Sequence, residues 1–84
     1  MKAGDKVRRE LLKGPATAFE LAAALDLIEK HGIRAGMRRA SAWCANLLQR
    51  GEVEHLGQVE NHDTGRLLWL YGLTAAGHAK LTRR

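Results

Sequence analysis

The sequence predicts a single α+β domain over residues 1–84, in which three helices precede a β-hairpin and a short closing helix. Apolar residues recur at helical spacing through the first part of the chain, with one clear interruption at Gly14-Pro15. After Gly51 the apolar residues alternate instead, which is typical of strands. Because 84 residues are enough for one small hydrophobic core, we expect these elements to pack together as one unit.

The first helix is predicted from about Asp5 to Lys13. Its apolar side carries Val7, Leu11 and Leu12. The opposite, solvent-facing side is expected to carry Arg8, Arg9 and Lys13. Gly14 suits the position just past a helix end, and Pro15 cannot continue the helix.

A capping box predicts where the second helix begins. The hydroxyl of Thr17 can accept a hydrogen bond from the backbone of Glu20, whose side chain can reach back to the cap. The apolar face that follows contains Leu21, Ala22, Leu25 and Ile28. Two ends are compatible with the pattern, one near His31 and one at Leu25 or Asp26. We favour the longer helix, because a glycine and then an apolar residue follow His31.

The third helix is predicted from about Met37 to Arg50, after a turn over residues 33–37 in which Gly36 supplies flexibility. Gly51 is expected to end it. One side is apolar, with Met37, Ala40, Cys44, Leu47 and Leu48, and Trp43 at the margin. The other side carries no acid and consists of Arg38, Arg39, Ala42, Ala45, Asn46 and Gln49.

The hairpin is predicted from a strand at 52–60, a turn at 61–65 and a return strand at 66–71. A closing helix follows through Leu81, with a basic tail of Lys80, Arg83 and Arg84. The return strand is apolar on both faces, and its outer face is expected to hold Leu56, Leu68 and Leu70. Either a helix of the same chain covers these leucines, or a homodimer or another protein partner does.

The net charge of +5 and the pI of about 10.0 favour a polyanionic partner. With one cysteine, no signal peptide and no long apolar stretch, we expect a cytoplasmic protein without disulfides. Cys44 is interpreted as a core residue. The four histidines show no pairing typical of a metal site, and Ser41 has no activating neighbour in sequence, so we expect no metal, no cofactor and no enzyme activity. The acids are expected to be solvated or capping groups: Glu20, Asp26, Glu29, Glu52, Glu54 and Glu60.

The basic side of the third helix has the chemistry that major-groove recognition requires. Arginine pairs with guanine, asparagine and glutamine pair with adenine, and alanine contacts the thymine methyl group. Arg38 and Arg39 are the candidates for base contacts, with Asn46 and Gln49 next; the alternative is a solvated basic face. Arg34 and Arg50 flank the helix and are candidates for phosphate contacts, although Arg50 could equally compensate the helix dipole.

Within the hairpin turn, His62, Thr64 and Arg66 are candidates for contacts with a nucleic-acid backbone. The presence of Thr64 is explained equally well by turn composition alone. Thr17 is interpreted first as a cap, and a phosphate contact at the same helix end is a possible addition.

Taken together, these elements resemble the winged helix-turn-helix superfamily, with small bacterial regulators of the MarR and PadR types as the nearest likeness. The more specific matches are the segments Arg50-Gly51-Glu52-Val53, similar to the helix-to-wing junction, and 71–77, similar to the wing exit. Asp63 and Arg66 resemble an acidic and basic pair of the wing. The resemblance implies a third helix in the major groove of DNA and a wing beside it. The chain lacks the long dimerisation helices usual in those regulators.

The sequence therefore predicts a small DNA-binding transcriptional regulator of bacterial or phage type, with double-stranded DNA as its partner. The alternative is a winged-helix module for protein–protein interaction, because a fold does not determine a function. RNA binding ranks third, since no aromatic stacking platform is visible in the sequence.

Overall fold

The computed structural model describes residues 2–62 and 65–82, and it is α+β. Five helices and three strands follow one another along these residues: α1 Ala3–Leu12, β1 Ala16–Thr17, α2 Ala18–Ala24, α3 Leu27–His31, α4 Ile33–Gln49, β2 Val53–Glu60, β3 Leu67–Leu73 and α5 Ala75–Thr82. The expected hairpin and closing helix are present, whereas the expected three helices before them are four. None of the helices in the described part of the chain is long and apolar enough to cross a bilayer.

The three strands form one antiparallel sheet in the order β1-β3-β2. β1 was not predicted from the sequence, and it pairs Ala16 with Tyr71 of the central strand. β2 pairs with β3 from Val53 to Glu60, with a shift in register between His55 and Gly57. A strand of two residues has too little sequence to show alternation, so only its pairing partner reveals it.

α1 lies close to its predicted position, but Arg8 is not on its solvent-facing side. Only 6% of Arg8 is exposed, and its Nε donates to Glu52 Oε1 at 2.6 Å. A second bond joins Arg8 Nη1 to Asp5 Oδ1 at 2.6 Å. Glu52, expected to be solvated or capping, is 4% exposed and is the interior partner of this arginine. Helical spacing alone predicts that a charged residue such as Arg8 faces solvent. Its partner Glu52 is 44 residues away in sequence, so the spacing gives no sign of the pair that allows Arg8 to be buried.

The capping box of α2 is confirmed. Thr17 Oγ1 accepts from the Glu20 N–H at 3.2 Å, and Glu20 Oε1 accepts from the Thr17 N–H at 2.9 Å. The longer second helix is wrong: α2 ends at Ala24, and Asp26 has a φ of 62°, so the chain turns there before α3. Aspartate tolerates this left-handed conformation, and the turn brings Leu27 into the core.

The predicted turn over residues 33–37 is also wrong, because α4 begins at Ile33, directly after Gly32. Gly36 is a buried helical residue rather than a flexible hinge. A Cβ at Gly36 would lie 2.9 Å from the carbonyl carbon of Leu27, so this glycine allows α3 and α4 to cross closely. Close packing of two helices does not show in the periodicity of one of them.

The end of α4 is as predicted. Gly51 has a φ of 73°, its N–H donates to the Leu48 carbonyl at 3.0 Å, and the Glu52 N–H donates to the Leu47 carbonyl at 2.9 Å. These two bonds form a Schellman motif, which turns the chain from α4 into β2. Thr74 attaches the closing helix to this turn, since its Oγ1 donates to the Gly51 carbonyl at 2.6 Å.

The core lies between the helices and the sheet, and its buried apolar residues are Val7, Leu11, Ala18, Leu21, Ala22, Leu27, Ala40, Cys44, Leu47, Val53 and Tyr71. The placement of Cys44 in this core is confirmed, with none of its surface exposed. Burial raises the pKa of the Cys44 thiol from 9.0 to about 12. Burial, together with the charge of Cys44 when ionised, also raises the pKa of Tyr71.

The outer face of the hairpin differs from the prediction. Leu56 is 48% exposed and lies over Gly72, whereas Leu68 and Leu70 are half-buried. The most exposed apolar side chains of β3 are instead Leu67, at 64%, and Trp69, at 45%. Leu68 lines a depression with Met37 of α4, and Leu56 lines one with Leu11 of α1 and His78 of α5, so helices of the same chain border two of the three expected leucines.

Candidate nucleic-acid interface

One face of α4 is open to solvent along the whole helix. Its exposed residues, with Arg50 at the cap, are Ile33, Arg34, Arg38, Arg39, Ala42, Ala45, Asn46, Gln49 and Arg50. The opposite side of the helix is in the interior, with Gly36, Ala40, Cys44 and Leu47 buried. The division into two faces predicted from helical spacing is therefore confirmed, and none of the described elements covers the basic face.

The positive charge of this face is uncompensated within the described residues. α4 contains no acidic residue between Ile33 and Gln49. The ion pairs formed among residues 2–62 and 65–82 are Arg8 with Asp5, Arg8 with Glu52, and Lys13 with Glu10. The arginines of α4 take no part in them, so this face presents a positive potential to solvent.

The earlier start of α4 changes where its arginines lie on the helix. Arg34 is in the first turn, next to the positive end of the helix dipole, while Arg38 and Arg39 are one turn further along. No acid in the first turn offsets the charge of Arg34. A cation at this end is mildly unfavourable for the free protein, which favours a role for Arg34 in binding an anion.

A groove separates the N-terminal half of α4 from the hairpin. A volume of about 400 Å³ is lined by Arg34, Met37, Arg38, Ser41 and Arg66. Ile33 and Leu68 line its apolar continuation with three of the same residues. The structure thus brings Arg66, predicted for the hairpin turn, beside two of the predicted arginines of α4.

A second depression lies on the other flank of α4. It has a volume of about 220 Å³ and joins Asn46 and Arg50 to Trp43 and to the start of α1, including Lys2. Lys2 was not among the residues singled out from the sequence. No spacing in the sequence relates residue 2 to residue 50, so only the packing of α1 on α4 brings them together.

His62 lies apart from the arginine groove. It borders a different depression with Thr17, Phe19, Glu20 and Glu60. Two carboxylates therefore share its surroundings, which does not favour contact with an anion. Thr64 and Asp63 are outside the described residues, as are Arg83 and Arg84 of the basic tail.

Ser41 is a member of the groove that sequence reasoning missed. The sequence showed it only as a serine without an activating neighbour. Its position seven residues after Arg34 and three after Arg38 places the three side chains on neighbouring turns of one face. That spacing is present in the sequence, but only the position of the hairpin shows that a groove lies beside these residues.

The sheet carries an aromatic cluster that the sequence did not reveal. The rings of His55 and Trp69 stack with centroids 4.3 Å apart and an interplanar angle of 16°, and Tyr71 is 5.3 Å from His55. Tyr71 belongs to the core, whereas Leu67 and Trp69, which share its alternation along β3, are exposed and apolar.

No group of three or more histidine, cysteine, aspartate or glutamate side chains that could hold a metal occurs within residues 2–62 and 65–82. Comparisons with protein-family models, with curated proteins and with solved structures find no match for this chain. The structure itself shows a small α+β fold in which one exposed, acid-free face of α4 lies beside a hairpin.

Proposed function

We propose that this protein binds double-stranded DNA by placing α4 in the major groove, as a small transcriptional regulator with a winged-helix type of fold. The observation that carries the proposal is the solvent-exposed face of α4, which has four arginines at 34, 38, 39 and 50 and no acid. A helix with its side chains is about 10–12 Å in diameter, and the major groove is about 12 Å wide. The two dimensions are compatible.

The order of elements supports the winged-helix part of the proposal. α2, the short α3 and α4 precede a β-hairpin, and α4 contacts both α2 and α3. α3 is an additional turn of helix between the two that a helix-turn-helix would require. The hairpin runs back beside the N-terminal half of α4, which is where a wing would approach the DNA backbone.

The side chains on the exposed face support recognition of sequence as well as charge. Ala42 and Ala45 are small, so the helix can approach base edges closely. Arg39, Asn46 and Gln49 extend from the same face and carry the donors and acceptors that pair with guanine and adenine. We assign base contacts first to Arg38 and Arg39, and then to the two amides.

The binding experiment is a fluorescence-anisotropy titration of labelled random duplex DNA at several salt concentrations. Neutralised phosphates give a linear fall of log K with log salt, with a slope of about −0.9 for each phosphate. We expect a steep slope for the unmodified protein and a shallower one for Arg34→Ala. Lys13→Ala removes the same charge from the exposed C-cap of α1, outside α4, and serves as the matched control. A flat salt dependence for the unmodified protein contradicts the proposal.

Sequence preference is tested by selecting bound sites from a random DNA pool. Arg39→Ala should reduce discrimination at one or two positions of the selected site by about 1–3 kcal/mol. The same substitution should leave affinity for random duplex within a few-fold of the unmodified protein. A selected motif that is unchanged by Arg39→Ala, Asn46→Ala and Gln49→Ala would show that α4 is not the reading helix.

A second function is favoured by a different observation, the exposed Leu67 and Trp69 of β3. An apolar surface of this kind is typical of a contact with a second copy or another protein. Sedimentation over a range of protein concentrations tests for association with a second copy. A mass that rises with concentration in the unmodified protein, but not in Trp69→Ser, supports self-association through the hairpin.

A further inference from the structure

We propose that an acidic, extended peptide of a partner protein binds this chain by adding a strand to the unpaired edge of β3, beside α4. This inference goes beyond the proposed binding of DNA and does not depend on it. Three features of the described residues carry it: a stretch of β3 with a free edge, apolar side chains on that stretch, and arginines next to it.

β3 is paired along its whole length on one edge and along only two residues on the other. β2 pairs with residues 67–73, whereas β1 pairs only with Leu70 and Tyr71. Because α2 begins at Ala18, directly after β1, no strand in the described part of the chain pairs with residues 67–69 on that edge. Successive residues of a strand direct their N–H and C=O groups to opposite edges, so part of this stretch offers backbone donors and acceptors to an added strand.

The free edge of β2 is less suited to an added strand. Its register shifts between His55 and Gly57, and Gly57 has a φ of 141°. Such irregularities on an edge strand hinder pairing with another chain, as do charged side chains, of which β2 carries Glu54 and Glu60. Residues 67–70 of β3 contain no charge and no glycine. β3 therefore provides the edge that favours pairing.

The unpaired stretch has apolar side chains on both faces of the sheet. Leu67 and Trp69 share one face by alternation and are 64% and 45% exposed. Leu68 belongs to the opposite face and borders the apolar part of the groove between α4 and the hairpin, a volume of about 420 Å³, with Ile33 and Met37. An added strand presents its own side chains alternately to the two faces, so apolar residues in its centre would cover both sets. An apolar central segment is therefore the first requirement for the peptide.

Arginines in the polar part of the groove set the charge of the peptide. Arg34, Arg38 and Arg66 border a volume of about 400 Å³ there. α4 contains no acid, and neither Arg34 nor Arg38 forms an ion pair within residues 2–62 and 65–82. Carboxylates accept bidentate hydrogen bonds from guanidinium groups, whereas a basic peptide would be repelled. Acidic residues next to the apolar segment are therefore the second requirement for the peptide.

The first test uses a synthetic octapeptide, blocked at both ends, with a central run of valines between pairs of glutamates. In NMR titrations we expect saturable binding, and at least one amide among residues 67–69 should exchange with solvent about tenfold more slowly in the complex. A peptide with lysine in place of glutamate tests the charge. A peptide in which every valine nitrogen is methylated keeps the side chains but cannot donate to the edge of β3. Both control peptides should bind about tenfold more weakly, or not at all.

The second test compares matched variants of the chain. Arg38→Glu, in the groove, should lower affinity for the glutamate peptide about tenfold, whereas Arg39→Glu, on the same helix outside the groove, should change it by less than about threefold. Arg38→Glu should in turn strengthen binding of the lysine peptide. Leu67→Ser should weaken binding of the glutamate peptide about threefold, and Leu12→Ser, at a leucine of α1 that is 53% exposed, should not. Circular dichroism with urea unfolding verifies that each variant is folded.

The outcomes separate this inference from DNA binding. If the methylated peptide binds as tightly as the unmethylated one, or if the amides of residues 67–69 exchange no more slowly in the complex, no strand is added and the inference is wrong. If the glutamate peptide does not bind, and Arg38→Glu weakens binding of duplex DNA more than Arg39→Glu does, the groove is a site for DNA rather than for a peptide. If the peptide binds as expected but duplex DNA does not bind at low salt, the proposed function is wrong and this inference stands.

Discussion

Gly77 of α5 lies so close to the α4–β2 turn that a single methyl group should dislodge the closing helix. A Cβ at this position would be 2.1 Å from the Glu52 carbonyl oxygen and 2.6 Å from Leu73 Cδ1, where ordinary contact begins at 3.4 Å. The helix would therefore have to move by about 1.3 Å. The backbone oxygen cannot give way, because it also accepts a hydrogen bond from the Thr74 N–H at 3.1 Å.

The cost of Gly77→Ala follows from the contacts that this movement disturbs. Two hydrogen bonds of Thr74, to Gly51 and to Glu52, hold α5 to the turn and contribute about 1 kcal/mol each. Overpacking destabilises the fold by a further ~1–3 kcal/mol, whereas the higher helix propensity of alanine stabilises it by about 1 kcal/mol. We expect a net loss of about 3 kcal/mol in the free energy of unfolding.

Urea unfolding followed by circular dichroism measures this loss, and thermal unfolding should show a Tm lower by more than about 10 °C. Ala79→Gly, at an exposed position of the same helix, is the control and should cost only about 1 kcal/mol through helix propensity. A Gly77→Ala protein as stable as the unmodified one, or more stable, would refute the close contact between α5 and the α4–β2 turn.

Three further predictions concern other parts of the fold. Glu52→Gln should destabilise the protein by about 3 kcal/mol in urea unfolding, because it leaves the buried charge of Arg8 without its interior partner. Glu10→Gln, in an exposed ion pair, should change stability by less than about 1 kcal/mol, and equal effects would contradict the burial of the first pair. Thr17→Ala should cost about 1 kcal/mol through loss of the cap, and no change in unfolding midpoint would be the contrary result. Cys44, whose pKa is about 12 when folded and 9.0 as the ordinary value, should make the free energy of unfolding fall between pH 9 and 12, because only the unfolded thiol ionises there. At pH 8 a thiol reagent should label it only as fast as the protein unfolds, and rapid labelling of the native state would refute its burial.

Much of the local structure could be predicted, because its causes lie within a few residues. The capping box at Thr17 and Glu20, the glycine end of α4 and the two faces of that helix all depend on neighbours at most five residues apart. Helix caps and periodicity are local by nature. The exposed basic face of α4 could be predicted for the same reason, because its arginines lie on successive turns of one helix.

The errors share a different cause. Asp26 adopts a left-handed conformation. Gly36 lies inside α4, and it has no side chain because the backbone of Leu27 approaches the helix closely there. Arg8 is buried because Glu52 lies opposite it in the folded chain. In each case the deciding contact is with a residue of another element. Local propensity is a weak prior under such conditions, and tertiary packing overrides it.

By itself, the sequence determined the class of the domain, the ends of most elements and the acid-free face of α4, since each follows from spacing and capping within one segment. The tertiary structure decided which charges are buried and which are exposed, and it placed Arg66 beside Arg34 and Ser41. Those outcomes depend on the separation of side chains in space, and electrostatic energy and packing follow that separation rather than distance along the chain.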